Sequence, residues 1–229
     1  MDLYSTKGKS LPQKLLVSLI ELGLIALSIY IMFGAGAQWF AGLSGFSTLA
    51  GTPDRRWIIL IFSLITLARF TFMMFYLLKR KMPWSEVVSV PAAFSLYYVG
   101  FAILVLPNQN AIGIWDIFGI AVFLFGGFLN TYSELQRNWF KKDNANKGKL
   151  FTSGLFAYSL HINFFGDVLW VAGYAIIAGH LLGIAIVMLL LGFFMFGNIP
   201  MLDTYLRQKY GEAFVAYEAK TKRLIPFIW

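Results

Sequence analysis

The chain has 229 residues, of which 59% are hydrophobic and only 13% are charged. Its net charge is +8, and it contains no cysteine. A soluble domain carries about 25% charged residues. The composition therefore excludes an ordinary soluble protein and, with a mean hydropathy of +0.68, predicts an integral membrane protein. The lack of cysteine excludes disulfides and thiolate catalysis. Because positive charge in a membrane protein is typical of cytoplasmic loops, no nucleic-acid partner is expected.

The first apolar run, 15–33, is long enough to cross a bilayer, which takes about 20 residues, and it is too long for a cleavable signal. Glu21 lies inside it. A carboxyl group at that depth is costly without a partner, so Glu21 is either functional or a carboxyl hydrogen-bonded within the bundle or near an interface. A Gly- and Ser-rich loop, 34–56, precedes the second span, 57–78, which contains Arg69. Arg69 must face protein, water or a ligand.

The third span is expected over 86–106, where Pro91 removes a backbone donor and favours a kink. A turn precedes the fourth span, 112–129, whose helix is expected to continue through Glu134 into the aqueous phase. Two further helices are expected over 163–178 and 182–196, joined by a turn at His180. That histidine is either a turn residue or a ligand or proton carrier. The chain should leave the membrane at 198–200, and an amphipathic interfacial segment follows over 203–220.

These elements predict an all-α, polytopic membrane helix bundle of about six transmembrane helices plus a C-terminal interfacial helix. The first four spans occupy 1–132. The remainder, 133–229, forms a C-terminal half with a cytosolic loop, a helical hairpin and an amphipathic tail, within one integrated membrane domain. Basic residues gather in the loops of one side, and only Arg55 and Arg56 fall on the other. Both termini are therefore expected in the cytoplasm, at a bacterial inner membrane or the endoplasmic reticulum.

No metal or hydrolase motif is present in the sequence, which has two histidines and lacks HExxH, GxGxxG and P-loop patterns. The cations expected on the cytoplasmic face are Arg137, Lys141, Lys142, Lys147, Lys149, Lys209, Lys220, Lys222 and Arg223. Such cations bind phosphates, although loops that contact only lipid headgroups show the same pattern. Asn163 and Asp167 share one face near the start of their helix. The charge alone favours loops that contact lipid headgroups, whereas the amide and the carboxylate favour a phosphorylated ligand at the cytosolic boundary of the membrane, and both interpretations stay open.

Three motifs occur in order after residue 150: Gly154-Leu155-Phe156-x-Tyr158, Asn163-x-Phe165-Gly166-Asp167-Val168 and Trp170-x-x-Gly173-Tyr174-Ala175. They resemble the C-terminal domain of membrane steroid 5α-reductases. The helix from Arg69 to Arg80 and the tail from Tyr217 to Phe227 are similar to that family as well, so the resemblance covers roughly 66–229. It extends to sterol reductases, to an uncharacterised bacterial membrane family and to isoprenylcysteine carboxyl methyltransferases.

The resemblance implies that NADPH binds in the cytoplasmic half of the bundle. The cofactor contacts it implies are Glu134, Lys141, Tyr158, Asn163, Asp167, Lys209, Tyr217 and Arg223. It also implies a phenol that donates to a substrate carbonyl. Tyr76 is the nearest match for that phenol, and Tyr98 lies near a functional position of the corresponding helix, so both are candidate catalytic residues. The family's Q-E-L-P pair has no clear counterpart before Arg69.

The implied activity is that of an NADPH-dependent oxidoreductase acting on the CH–CH bond of a lipid-soluble, steroid-like or isoprenoid enone or alkene. Leu160-His161-Ile162-Asn163 stands where many relatives have R-H-P-N. Two alternatives stay open because a fold does not fix a chemistry. One is an S-adenosylmethionine-dependent methyltransferase of the isoprenylcysteine type. The other is a non-enzymatic, lipid-binding membrane protein that has kept the fold.

Overall fold

A computed structural model describes residues 8–39 and 53–229. Its helices are α1 (Leu11–Phe33), α2 (Pro53–Leu77), α3 (Trp84–Leu104), α4 (Ile114–Lys142), α5 (Ile162–Ala178), α6 (Leu181–Tyr210) and α7 (Glu212–Glu218). No strand occurs in the two described ranges. The predicted all-α class is confirmed. Part of the expected loop over 34–56 lies outside the described residues.

Five of these helices, α1 to α4 and α6, are long and apolar enough to cross a membrane by length and composition. Helix α5 is apolar but has only 17 residues. A polytopic membrane protein is thus confirmed, and the span count agrees with about six when the shorter α5 is included. The orientation of the termini stays a prediction.

The C-terminal segments differ from the expectation in two places. Helix α6 does not end at 198–200 but continues to Tyr210, because Pro200 falls in the first turn of a new α-helical stretch, where its missing N–H costs no hydrogen bond. The expected interfacial segment is broken at Gly211, whose φ of +53° ends α6. The short helix α7 follows this break.

Three of the long helices contain a π-helical turn: Met73–Leu77 in α2, Leu96–Gly100 in α3 and Phe194–Asn198 in α6. Such turns hold one residue more than an α-helical turn and often occur at functional sites. Tyr76 and Tyr98 both lie in such turns. In α3 the turn begins five residues after Pro91, which is accommodated inside the helix.

The chain divides into two compact units, Met1–Ile120 with Gly173–Ile184, and Ala121–Ala172 with Ala185–Trp229. The expected boundary after residue 132 falls inside α4, which is continuous there. The functional division of the chain into 1–132 and 133–229 remains a prediction.

In the first unit Arg55 is only 6% exposed and forms an ion pair with Asp116. Its guanidinium also donates to the carbonyl oxygens of Asn110, Ala111 and Ile177, each at 3.1 Å. Arg56 donates to the carbonyl of Met32 at 2.8 Å. The two arginines that break the charge asymmetry of the loops are therefore bound to protein groups.

Candidate functional site

Helices α4 and α5 meet in the second unit through two glycines. A Cβ on Gly126 would lie 2.6 Å from the carbonyl oxygen of Gly166, and a Cβ on Gly166 would lie 2.6 Å from the backbone nitrogen of Asn130. Only glycine allows the two backbones to approach so closely. Glu134 lies two turns beyond Gly126, and Asn163 lies about one turn before Gly166. The close crossing therefore brings their side chains together.

Glu134, Arg137 and Asn163 are joined by hydrogen bonds. The side-chain amide of Asn163 donates to Glu134 at 3.0 Å, and Arg137 forms an ion pair with the same carboxylate. The Asn130 side chain donates to the backbone carbonyl of Asn163 at 3.2 Å. Asn163 is 7% exposed, so this contact is well shielded from water. The structure thus brings Glu134 and Asn163 together, as the resemblance implies.

Two lysines and an amide extend this group. Lys141 interacts electrostatically with Arg137, Lys209 and Glu134. Asn138, one turn beyond Glu134, has a buried side-chain Nδ2 with no hydrogen-bond partner among residues 8–39 and 53–229. The amide–cation cluster is defined here as Glu134, Arg137, Asn138, Lys141, Asn163 and Lys209. It places three cations and an unsatisfied donor beside one carboxylate, which is an environment that favours an anionic ligand.

The loop before α5 supports this cluster. Gly154 has a φ of +62°, and its Cβ position would lie 2.6 Å from the Gln136 side chain, so glycine is required there. The backbone N–H of Leu155 donates to Gln136 at 3.0 Å. The Arg137 guanidinium lies over the ring of Phe156 at 5.6 Å. The first of the three motifs thus forms a loop that holds an aromatic ring against the cluster.

Tyr217 reaches the same loop from α7. Its hydroxyl donates to the backbone carbonyl of Phe156 at 2.5 Å, and burial raises the pKa of its phenol. The phenol therefore stays protonated and acts as a donor at neutral pH. In the structure Tyr217 anchors the loop that carries Phe156.

Arg223 belongs to a different network. It donates to Asp203 at 2.9 Å, and the other carboxylate oxygen of Asp203 lies 2.7 Å from Nε2 of His161. His161 and Asp203 are 1% and 2% exposed. The backbone N–H of His161 also donates to the carbonyl of Arg223 at 3.1 Å. Arg223 thus fixes the tail against the residues that precede α5.

The other candidate cofactor residues have contacts outside the amide–cation cluster. Asp167 accepts a hydrogen bond from the indole of Trp170 at 2.8 Å. Tyr158 is 53% exposed and packs edge-on against Phe227. Lys209, although a member of the cluster, also donates to the hydroxyl of Tyr205, outside it, at 3.0 Å. A role for these three side chains in cofactor binding stays a prediction.

The first unit contains a second polar group, within its transmembrane helices. Glu21 and Tyr98 are each 0% exposed. Among the described residues the Glu21 oxygens and the Tyr98 hydroxyl make no hydrogen bond of good geometry, although the two side chains are close enough to form a weak one with each other. A buried polar group that is poorly satisfied costs about 1–3 kcal/mol. A ligand oxygen that accepts from the Tyr98 hydroxyl would therefore be favourable.

Tyr174 lies fully buried in the same unit. Its hydroxyl is 3.3 Å from the hydroxyls of both Ser63 and Thr66, and its ring stacks on Phe101 at 5.1 Å. Tyr98 also interacts electrostatically with Tyr174 and Arg69. Arg69 therefore faces polar protein groups, which is one of the surroundings expected for it.

Tyr76 has a different environment from Tyr98. It is 40% exposed, its ring stacks on Phe72 at 5.2 Å, and Lys79 lies over it at 5.4 Å. His180 accepts a hydrogen bond from the backbone N–H of Leu182 at 3.1 Å, which confirms it as a turn residue. Of the two candidate phenols, Tyr98 has the enclosed, unsatisfied environment expected of a catalytic donor.

Two features of these groups could not be read from the sequence. Nothing in the sequence shows that the Asn138 Nδ2 is buried without an acceptor among the described residues. The pairing of Glu21 with Tyr98 joins two spans that are far apart in the chain. Glu21 lies on α1, in the part of the chain before Arg69 where the Q-E-L-P pair has no clear counterpart. Its position deep in a predicted span was the sequence signal that marked it.

Comparison with known proteins defines the class to which this membrane protein belongs. Residues 50–221 match the model of a protein family of unknown function, DUF1295, and the chain belongs to this family. The family is part of the steroid 5α-reductase-like superfamily, which confirms the resemblance at that level.

A named relative is the probable O-methyltransferase ustE of Ustilaginoidea virens. It is 34% identical over 88 residues, which make up 38% of this chain and 31% of that protein. The matched segment thus spans under a third of the relative's length.

Proposed function

We propose that this protein is a membrane-embedded, NADPH-dependent reductase of a C=C bond in a lipid-soluble compound. The observation that carries the proposal is the amide–cation cluster, where the buried Nδ2 of Asn138 lacks an acceptor within the described part of the chain and Arg137 and Lys141 lie on the same stretch of α4. Phosphate oxygens would accept from that donor and be attracted by the cations. The donor set therefore fits the phosphates of NADPH.

The charge of the cluster supports NADPH over S-adenosylmethionine. The sulfonium centre of S-adenosylmethionine is positive, and like charges within a few ångströms repel one another. The negative charge of Glu134 is balanced by its ion pair with Arg137, so it does not offset the positive charge of the two lysines. A cofactor with several negative charges is thus the better electrostatic match.

When bound, NADPH supplies a hydride to the β-carbon of a conjugated enone. The Tyr98 hydroxyl, which is fully buried beside Glu21, would bind the substrate oxygen. As a neutral donor it stabilises the charge that develops on that oxygen. Glu21 faces Tyr98 and would orient the phenol. A steroid-like or isoprenoid enone supplies a single oxygen on an apolar body, which suits this environment.

A methyltransferase of the isoprenylcysteine type is the second candidate, and the match to a probable O-methyltransferase favours it. Such an enzyme would place the carboxylate of S-adenosylmethionine against the same cations. A non-enzymatic, lipid-binding role is the third possibility. Each makes a different prediction about which nucleotide binds.

The test is ligand-dependent thermal stabilisation of the purified protein in nanodiscs. NADPH at about 100 times its Kd should raise the unfolding free energy by about 2.7 kcal/mol. Stabilisation by S-adenosylmethionine instead would support the methyltransferase, and stabilisation by neither would leave the lipid-binding role. Mass spectrometry of a co-purified lipid would then identify the substrate.

Two lysine variants make this test specific. Lys141→Gln removes a cation of the cluster and should weaken NADPH binding several-fold. Lys147→Gln removes an exposed cation of the neighbouring loop and should leave binding unchanged. Equal effects of the two substitutions would show that only the general positive charge of this face attracts the nucleotide, and the assigned cluster would then be wrong.

A further inference from the structure

The tail of the chain presents an apolar surface outside the membrane-length helices. Phe227 is 78% exposed, Ile228 is 73% exposed and Trp229 is 37% exposed. Tyr158, from the loop before α5, adds to this surface and packs edge-on against Phe227 with ring centroids 5.9 Å apart. These four residues are called the tail patch. Exposed contiguous apolar surface of this kind marks a partner or a membrane.

The tail patch is held in place by the backbone. The N–H groups of Leu224 and Ile225 donate to the carbonyl oxygen of Trp229 at 2.7 and 2.8 Å, which closes a tight turn. Phe227 lies in that turn with a φ of +66°. A left-handed conformation is unfavourable for a residue with a Cβ. Phe227 therefore adopts an unfavourable backbone conformation while its side chain stays exposed.

The segment before the turn is fixed as well. Leu224 is fully buried against Phe194 and Ile199, and its carbonyl accepts from the Ser159 hydroxyl at 2.8 Å. The backbone N–H of Leu160 donates to the carbonyl of Lys222 at 2.8 Å. The patch is thus displayed by an ordered segment and does not belong to a loose end.

The charged residues near the patch in the sequence favour a membrane surface as its partner. Lys220 and Lys222 are exposed and precede the patch by a few residues, while the nearest acid in the sequence, Glu218, is paired with Arg207 and Arg223. Aromatic side chains beside exposed lysines are the composition of segments that lie at the boundary between headgroups and acyl chains. Lysines of this kind are attracted to anionic lipids.

We propose that the tail patch inserts into the bilayer interface and anchors the tail to the membrane surface. The anchor holds Arg223 in its ion pair with Asp203, and through that pair it restrains the residues that precede α5. The proposal does not depend on the nature of the ligand. A second copy of the chain is the competing occupant.

The chain has no cysteine, so single-cysteine variants report directly on position. Ile228→Cys, labelled with the fluorophore NBD, would be reconstituted into nanodiscs that hold one copy each and contain doxyl-labelled anionic lipid. Lys147→Cys, in an exposed loop, is the matched control. The label at 228 should emit at shorter wavelength and be quenched several-fold more strongly than the label at 147.

Equal, weak quenching of the two labels would overturn the proposal. So would a blue shift at 228 that appears only when two copies share a disc, because that result assigns the patch to a protein interface. Phe227→Cys, labelled in the same way, is a second reporter in the tail patch and tests whether the result at 228 is a local effect of that label. It should show the same quenching.

Discussion

Asn138 is a half-buried residue whose amide Nδ2 is itself buried and finds no acceptor among the described residues. Leaving a buried donor unsatisfied costs about 1–3 kcal/mol. A ligand that supplies the acceptor would remove this cost. The stability of the protein and the affinity for its ligand should then respond to Asn138 in opposite directions.

Asn138→Leu tests this opposition. The substitution removes the unsatisfied donor at nearly constant volume, so the ligand-free protein should unfold at the same or a higher temperature. The NADPH affinity should fall about tenfold or more, since a hydrogen bond to a charged group is worth about 1.5–3 kcal/mol. Thermal unfolding with and without NADPH measures both effects.

Asn130→Leu is the comparison on the same helix. Its side chain donates to the carbonyl of Asn163, so this variant should be less stable without ligand. If Asn138→Leu were destabilising to the same degree, Asn138 would have a structural partner, and its assignment to the ligand site would fail.

Tyr98 and Tyr76 give opposite expectations at the residue scale. Tyr98→Phe removes the buried hydroxyl that would stabilise the developing negative charge, so kcat should fall by about 10²–10³ while NADPH still stabilises the protein. Tyr76→Phe changes a side chain that is 40% exposed and should have little effect. NADPH oxidation with a panel of steroid and isoprenoid enones measures both variants. The reverse order of effects would assign the phenol to Tyr76.

At the element scale, the contact between α4 and α5 depends on Gly126 and Gly166. A Cβ at Gly166 would lie 2.6 Å from a backbone nitrogen and 2.7 Å from a backbone oxygen. A backbone cannot move aside as a flexible side chain can. The two helices would have to separate, and the Asn163 amide would move away from Glu134.

Gly166→Ala should therefore destabilise the protein by about 1–3 kcal/mol, as overpacking does, and should abolish stabilisation by NADPH. Gly192→Ala, in α6, is the matched control because a Cβ there meets nothing within 4 Å. That control should be neutral or slightly stabilising, by up to about 1 kcal/mol. Thermal unfolding of both variants, with and without NADPH, measures these effects. Equal unfolding temperatures for the two variants would refute the close crossing of α4 and α5.

The helices themselves were largely predictable from the sequence. Apolar runs of bilayer length located the spans, and Gly179 with His180 marked the turn between α5 and α6. The continuation of α6 to Tyr210 was missed, because the segment Asn198-Ile199-Pro200 was interpreted as an exit from the membrane. Proline is tolerated at the start of a helical stretch, and the π-helical turn before Pro200 creates such a start.

At the scale of the whole molecule, the sequence correctly indicated a polytopic membrane helix bundle but not the pairing of distant groups. The resemblance named Glu134 and Asn163 as cofactor contacts, and the structure joins their side chains by a hydrogen bond. The ion pair of Arg55 with Asp116 was not, because charge counting treats every arginine between spans as a loop residue. The pairing of Glu21 with Tyr98 likewise depends on packing, which periodicity does not encode.

The π-helical turns have a consequence for comparing this chain with its relatives. Each turn contains one extra residue, so a relative that lacks it would differ by a single deletion in the middle of a span. Deleting one residue within 96–100 would restore α-helical hydrogen bonding and rotate everything after it by about 100° relative to everything before it. In an alignment made without a gap, every residue on one side of the deletion would be matched one position away from its structural equivalent, and Tyr98, the phenol beside Glu21, would be matched to the equivalent of an adjacent residue.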